Sequence, residues 1–455
     1  MIFTMKVSKK DVNIQNLYSL DGRVPKGKAF LVGAQHVMAM FVANIAPIML
    51  ICTGAVYNGV PFTDIDLARM MQAALLIAGL GTLIQLYPVW RVGAKLPIVM
   101  GVSFTFAGAL IPLAAEDYGY VVGAVIIGGV IEGLLGLTVK YWGRFIAPVV
   151  PACVVIAVGI SLFETGISNA VESANYEAGS WQNLLVAGIT LVSCLIFRSR
   201  FKGFWKQLYI LFGLLTGYIV AVLMGMVDFH SISDMVGQMG IISLPRLFAF
   251  TPKFRLGAII NVTLVFLVSA IETMGDSSSV CTSGLKREIT KDELRGALAC
   301  DGFVSAISGG VFGCTPITSF SQNVGLIALT GIVNRYSLLF GALILIAAGF
   351  FPPIGAILAT LPNCVLGGCA IVMFGVIVIA GIRMLVQCGL NERNSLITAI
   401  SLCIGIGITK VLDFFKDMPE LVREIFANNC VAGVFVVAML LSIILPKKMN
   451  EKSKE

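Results

Sequence analysis

Apolar runs of about 20 residues recur from Ala29 to Leu445, and they constrain this chain more than any single motif. At 1.5 Å per residue, a helix of that length crosses the ~30 Å hydrocarbon layer of a bilayer and satisfies its backbone N–H and C=O groups internally. The runs do not alternate apolar with polar residues, as barrel strands would. Only 13% of the 455 residues are charged and 57% are hydrophobic, against roughly 25% charged in a soluble domain. The chain reads as an all-α integral membrane protein.

Fourteen segments are expected to span: 29–52, 68–89, 97–114, 120–138, 146–163, 183–197, 208–227, 257–276, 296–313, 318–333, 337–359, 363–384, 394–409 and 427–445. Cytoplasmic loops accumulate Lys and Arg. With both termini cytoplasmic, 25 of the 32 basic residues fall inside, from Lys6, Lys9 and Lys10 through Arg144 to Lys447, Lys448, Lys452 and Lys454. The loops 115–119 and 164–182, placed outside, hold Glu116, Asp117, Glu164, Glu172 and Glu177 and no Lys or Arg. The net charge of +7 then follows from topology, and nucleic acid is not an expected partner. The eleven cysteines lie mostly within apolar runs, without paired zinc spacings or a secreted disulfide pattern, so neither metal nor cofactor is expected. Lys6 to Lys28 is polar and basic without a cleavable signal pattern, so the first span is expected to persist.

Three weak internal matches occur in order. GAVIIGGVIEGLLGL from Gly123 resembles GALILIAAGFFPPIG from Gly341, SFTFAGALI from Ser103 resembles SFSQNVGLI from Ser319, and VPACVV from Val150 resembles LPNCVL from Leu361, at offsets of 218, 216 and 211. A nearly constant offset implies a duplicated seven-span unit, and an odd number of spans makes the two copies inverted. Inverted repeats are typical of secondary transporters, whose substrate sits near the midplane between interrupted helices. Spans three and ten fit that role, as short extended segments leading into half-helices. Each carries a polar triplet at the same repeat position, Ser103-Phe104-Thr105 and Ser319-Phe320-Ser321.

Ionisable residues inside the spans are few, and each costs about 2.5–3.5 kcal/mol to insert. His36, next to Gln35, lies in the first span, Glu132 in the fourth, Glu272 and Asp276 in the eighth, and Asp301 in the ninth. A structural histidine accounts equally for His36, a packing carboxylate accounts better for Glu132 than direct function does, and for Asp301 a functional role is favoured over bonding broken backbone. Glu272 and Asp276 stand one helical turn apart, and two such carboxylates repel when both are ionised and tend to share a proton. Carboxylate and amide together match a planar ring with N–H and C=O groups on adjacent edges, a nucleobase, with Phe104 or Phe320 against its face. Gln322 and Asn323 fit that reading, and they fit helix-to-helix bonding equally well.

Gln322-Asn323-Val324-Gly325, four residues, then Thr330-Gly331 resembles the signature of the nucleobase/ascorbate transporter family, and Gln35-His36 is similar to its QH motif. Glu272, Asp276 and Asp301 fall where that family places its acidic residues. The resemblance implies a fourteen-span inverted-repeat fold with a core domain, 29–138 and 257–359, and a gate domain, 146–227 and 363–445, between tails 1–28 and 446–455. It implies a homodimer formed through the gate domains, an elevator-type movement of the core, and symport of a nucleobase with a proton across the cell membrane. By the same carry-over, Glu272 anchors ring N–H groups, Gln322 completes the base contact, and Asn323 supports the site. Phe104 supplies backbone and ring contact, Ser103 and Ser321 line the site, and Asp276, Asp301, His36 and Gln35 are structural or proton-linked. Gln322 at the first signature position and Gly331 after Thr330 are similar to the xanthine and uric acid branch.

Ser103 stands where xanthine-selective members tend to carry Asn, which leaves room for the C8 carbonyl of uric acid. A uracil permease of the same family is an alternative. An anion exchanger of the same seven-plus-seven architecture is another, although a central Glu272 argues against it. A channel would lack saturable, gradient-driven uptake. A hydrolase is not expected, because no H-E-x-x-H occurs and Thr273-Met274-Gly275-Asp276 lacks the first glycine of a GxGD motif.

Overall fold

A computed structural model describes residues 12–142, 147–427 and 429–446. The basic residues Lys6, Lys9, Lys10, Arg144, Lys447, Lys448, Lys452 and Lys454 of the charge argument lie outside the described residues. Helices α1 (Lys26–Cys52) and α2 (Asp64–Leu86) are joined through a small hairpin, β1 (Val56–Tyr57) and β2 (Val60–Pro61). Strand β3 (Met100–Val102) leads through a 3-10 turn, Phe104–Phe106, into the short α3 (Ala107–Glu116), then α4 (Tyr118–Leu137) and α5 (Val139–Trp142). The first half closes with α6 (Val149–Ser161), α7 (Phe163–Val171), α8 (Trp181–Arg200), α9 (Phe204–Gln207), α10 (Tyr209–Leu223) and α11 (Phe229–Met239).

The second half opens with α12 (Leu256–Ser279), extended by a π turn, and α13 (Lys291–Phe312). Strand β4 (Ile317–Ser319) then leads into α14 (Ser321–Thr330). The remainder is α15 (Arg335–Gly349), α16 (Pro352–Ala359), α17 (Asn363–Cys388), α18 (Glu392–Lys410), α19 (Glu420–Phe426) and α20 (Cys430–Ile444). Each of the fourteen expected segments contains helix among the described residues, with 97–114 helical only from Phe104 onward. By length and apolarity among the described residues, 7 helical stretches suffice to cross a membrane, or up to 9 if α15 with α16 and α19 with α20 each count as one bent span. Helix α11 occupies a stretch without a span-length apolar run.

Close approach of backbones sets the packing. Helix α4 turns Gly129, Gly133 and Gly136 toward α13, where a Cβ on Gly302 would stand 2.1 Å from the Gly133 nitrogen. Without side chains between them the two helices gain dense van der Waals contact, which drives association where lipid is as apolar as the core. Capping boxes, Thr63 with Asp66 and Thr290 with Glu293, fix the starts of α2 and α13.

Strands β3 and β4 pair antiparallel, with Met100 opposite Ser319, Gly101 opposite Thr318 and Val102 opposite Ile317. A two-stranded ribbon exposes backbone groups along both outer edges, and in a membrane interior no water can take them. Here side chains from three helices do so. Met100 N–H donates to Thr82 Oγ1 (2.9 Å), Val102 N–H to Asn44 Oδ1 (2.7 Å), Ile317 N–H to Ser305 Oγ (3.1 Å) and Ser319 N–H to Asp301 Oδ2 (2.9 Å). Gly101 is needed at the crossing, since a Cβ there would come within 2.8 Å of the Phe320 ring and of Asn44 Oδ1.

Candidate substrate site

Because β3 and β4 run in opposite directions, the 3-10 turn before α3 and the start of α14 leave the ribbon from opposite ends. Helix α12 passes both. Thr105 Oγ1 donates to Glu272 Oε2 at 3.0 Å, and Ser321 Oγ lies 3.3 Å from Glu272 Oε1 and 2.7 Å from Asp276 Oδ2. Thr105 and Ser321 are the third members of the two similar triplets, so one hydroxyl from each triplet reaches the same carboxylate. A hydroxyl has one hydrogen, so Ser321 donates to one of its two carboxylates at a time.

The two half-helix starts differ. Ser103 Oγ accepts from Thr105 N–H at 3.2 Å and so caps its own turn, whereas α14 has no side-chain cap. First-turn N–H groups of α14 are therefore left to backbone, water or ligand. Gln322 is exposed beside them, and Gly325 and Gly275 each have nothing within 4 Å of where a Cβ would stand. Glu272, Gly275 and Asp276 form one stripe of α12, and Gln322 with Gly325 forms one stripe of α14.

Behind this face the polar groups are committed to one another. Asp301 is fully buried and receives Thr273 Oγ1 (2.5 Å), Ser319 N–H (2.9 Å), Ser319 Oγ (2.8 Å) and Gln85 Nε2 (3.1 Å). Asn323 Nδ2 contacts His36 Nδ1 at 3.1 Å and the His36 carbonyl oxygen at 3.3 Å. The carbonyl can only accept, which fixes the amide orientation, makes His36 Nδ1 the acceptor and places the ring proton on Nε2. Asn323 Oδ1 is left buried without a partner among the described residues, as are both oxygens of Glu132. Phe104 is buried edge-on against Phe374 of α17, with centroids 5.8 Å apart. Gln35 is half-buried on α1. No group of three or more His, Cys, Asp or Glu able to hold a metal occurs among the described residues.

A Permease family model matches residues 27–414, which is most of the chain. The chain belongs to the nucleobase:cation symporter-2 family. A xanthine permease of Bacillus subtilis is 33% identical over 424 residues, covering 92% of this chain and 94% of that protein. A xanthine permease of Escherichia coli is 30% identical with 94% of each chain covered, and a nucleobase transporter of Paenibacillus larvae is 32% identical, covering 94% of this chain and 97% of that one. The fold resembles the transmembrane domain of a cyanobacterial bicarbonate transporter, with a TM-score of 0.56 at 15% identity over 91% of this chain and 97% of that one. It also resembles the murine Slc26a9 anion transporter in its inward-facing state, with a TM-score of 0.60 at 11% identity over 91% of this chain and 67% of that one. Both likenesses concern fold alone. As a member of a permease family with several membrane-crossing helices, the symporter-2 chain is a multi-pass membrane transport protein.

The symporter-2 site brings together Glu272, Asp276, Ser321 and the half-helix starts, and it joins Asn323 to His36. Ser103 is turned to its own cap. Asp301 is tied to the ribbon. Thr105 is legible in sequence only as a member of its triplet, paired by alignment with Ser321, whereas Thr273, Gln85, Asn44 and Thr82 carry no sequence signal as site residues. The latter are polar residues isolated in apolar runs whose partners lie far along the chain.

Proposed function

We propose that this chain imports an oxidised purine nucleobase, uric acid or xanthine, together with a proton, by an elevator-type alternating-access movement. The convergence of Thr105 and Ser321 on Glu272 carries the reading. A carboxylate presented between two half-helix starts is arranged to accept paired N–H groups from the edge of a ring, and the hydroxyls hold it in that posture. Gln322 and the uncapped first turn of α14 then face the ring carbonyls, with Phe104 at the ring and Asn323 bracing α14 against His36.

Of the two carboxylates considered for the coupled proton, Asp276 is favoured, because Asp301 is occupied with the ribbon. Ser321 links Asp276 to Glu272, so binding at one alters the hydrogen bonding of the other, as coupling requires. The proposal includes fourteen spans in two inverted repeats, with the two triplets as repeat mates and both termini cytoplasmic. It divides the chain into a core (29–138 and 257–359) and a gate (146–227 and 363–445), with a homodimer formed through the gates. Likeness in fold to a bicarbonate carrier raises anion exchange as a second reading, but Glu272 with Asp276 one turn away repels an anion unless a proton is taken up with it, which symport supplies and exchange does not.

Uptake of labelled xanthine and urate into cells that lack their own carriers tests the assignment. Saturable uptake abolished by a protonophore is expected. Uracil uptake without either purine would move the chain to the uracil branch, and bicarbonate-dependent exchange without purine uptake would favour the anion reading.

A further inference from the structure

Away from that site, Arg91 in the loop after α2, Lys140 on α5, and Lys291 and Arg295 in the first turns of α13 line one open cavity of about 210 Å3. The one carboxylate lining it, Asp292, lies 3.1 Å from Arg295. Arg91, Lys140 and Lys291 have no ion-pair partner among the described residues, and Arg295 Nε is buried without a hydrogen-bond acceptor. Cations gathered around a cavity with so little counter-charge focus a positive potential into it.

The surroundings specify what kind of anion fits. Trp90 is 77% exposed with the Arg91 guanidinium 5.2 Å from its ring, and Tyr141 is 62% exposed with Lys140 4.6 Å from its ring. Exposed Trp and Tyr beside Lys and Arg characterise the headgroup level of a bilayer. Leu137 also lines the cavity, and Leu134 and Val130, exposed at three and seven residues before it, continue the same face of α4 for roughly 10 Å. An apolar stripe thus runs directly from the cationic cavity. The cavity is also preformed, since Gly93 N–H donates to the Gly296 carbonyl at 2.9 Å and ties the Arg91 loop to α13.

We propose that this cavity binds the phosphoryl headgroup of an anionic membrane phospholipid, with an acyl chain along Val130 and Leu134. A soluble phosphate would satisfy the cations and make no use of the stripe or the exposed rings. The site lies apart from the purine site.

Native mass spectrometry of the purified full-length protein, titrated with phosphatidylglycerol or phosphatidylcholine of identical acyl chains, tests this. The wild type is expected to retain phosphatidylglycerol at least tenfold more tightly. Arg91→Gln is expected to lose about fivefold of that preference, and Arg91→Gln/Lys140→Gln to abolish it. Arg91→Lys/Lys140→Arg should keep it, which separates loss of charge from loss of fold, and Arg91→Gln alone carries the test if the pair does not fold. Equal retention of the two lipids by the wild type, or an undiminished preference in the Gln variants, overturns the site. Displacement of phosphatidylglycerol by millimolar inorganic phosphate would make the ligand a soluble anion and overturn the lipid assignment.

Discussion

A half-buried carboxylate gripped by one hydroxyl from each triplet is poised between two uses, holding the half-helices together and receiving a ligand. Glu272→Ala is expected to abolish purine uptake while the protein still reaches the membrane, checked by uptake alongside surface labelling. Thr105→Ala and Ser321→Ala each remove one hydroxyl contact to the carboxylate. Each is expected to raise the KM for purine roughly tenfold, the cost of one hydrogen bond to a charged group. An effect from Ser321→Ala alone would mean that Thr105 is not its functional mate. The sequence showed the Ser103 and Ser319 triplets and the two carboxylates of α12, and period and spacing were enough for that. It did not show that the third residue of each triplet bends toward Glu272, because spacing along a chain does not say which way a broken helix turns.

The ribbon of β3 and β4 was the least legible element. Three residues per strand are too few for an alternating pattern, and every one of them is buried. Its outer N–H groups find acceptors on Thr82, Asn44, Ser305 and Asp301, three of them neutral residues scattered through otherwise apolar helices. Ser305 also donates to the Ile317 carbonyl at 2.9 Å, so Ser305→Ala strips two backbone groups at once. A loss of about 2 kcal/mol is expected, measured as a lower melting temperature in detergent. The α4 start offers a charge-based counterpart outside the membrane. Burial pushes the Asp117 carboxyl up, but Lys253 at 2.6 Å and the Gly119 and Asn58 N–H groups outweigh it and leave the group below its ordinary value. A carboxylate with a depressed folded-state value stabilises at neutral pH and loses that contribution as pH falls through the carboxylate range. Asp117→Asn keeps a capping oxygen but no charge, so its melting temperature should lie below wild type at pH 7, with the gap persisting to about pH 4 and narrowing as pH falls further. A gap independent of pH would assign the effect to the cap alone.

Taken whole, the chain was read mainly from its apolar runs, and these placed nearly every long helix because hydrocarbon leaves a helix few alternatives. They left out α11, whose amphipathic stretch lacks span length, and they could not say how core and gate touch. One contact between the proposed domains lies where α3 meets α6. A Cβ on Gly108 would stand 3.9 Å from the Cβ of Ser161, close to the mean separation across a disulfide. An elevator must break that contact in every cycle, whereas a rigid channel need not. Gly108→Cys/Ser161→Cys, made with the exposed Cys403 replaced by serine, should therefore transport when reduced, fall to background on oxidation and recover with dithiothreitol. The same variant with the disulfide formed quantitatively and uptake undiminished would show that the core does not slide past the gate at this contact, and the elevator would have to be abandoned.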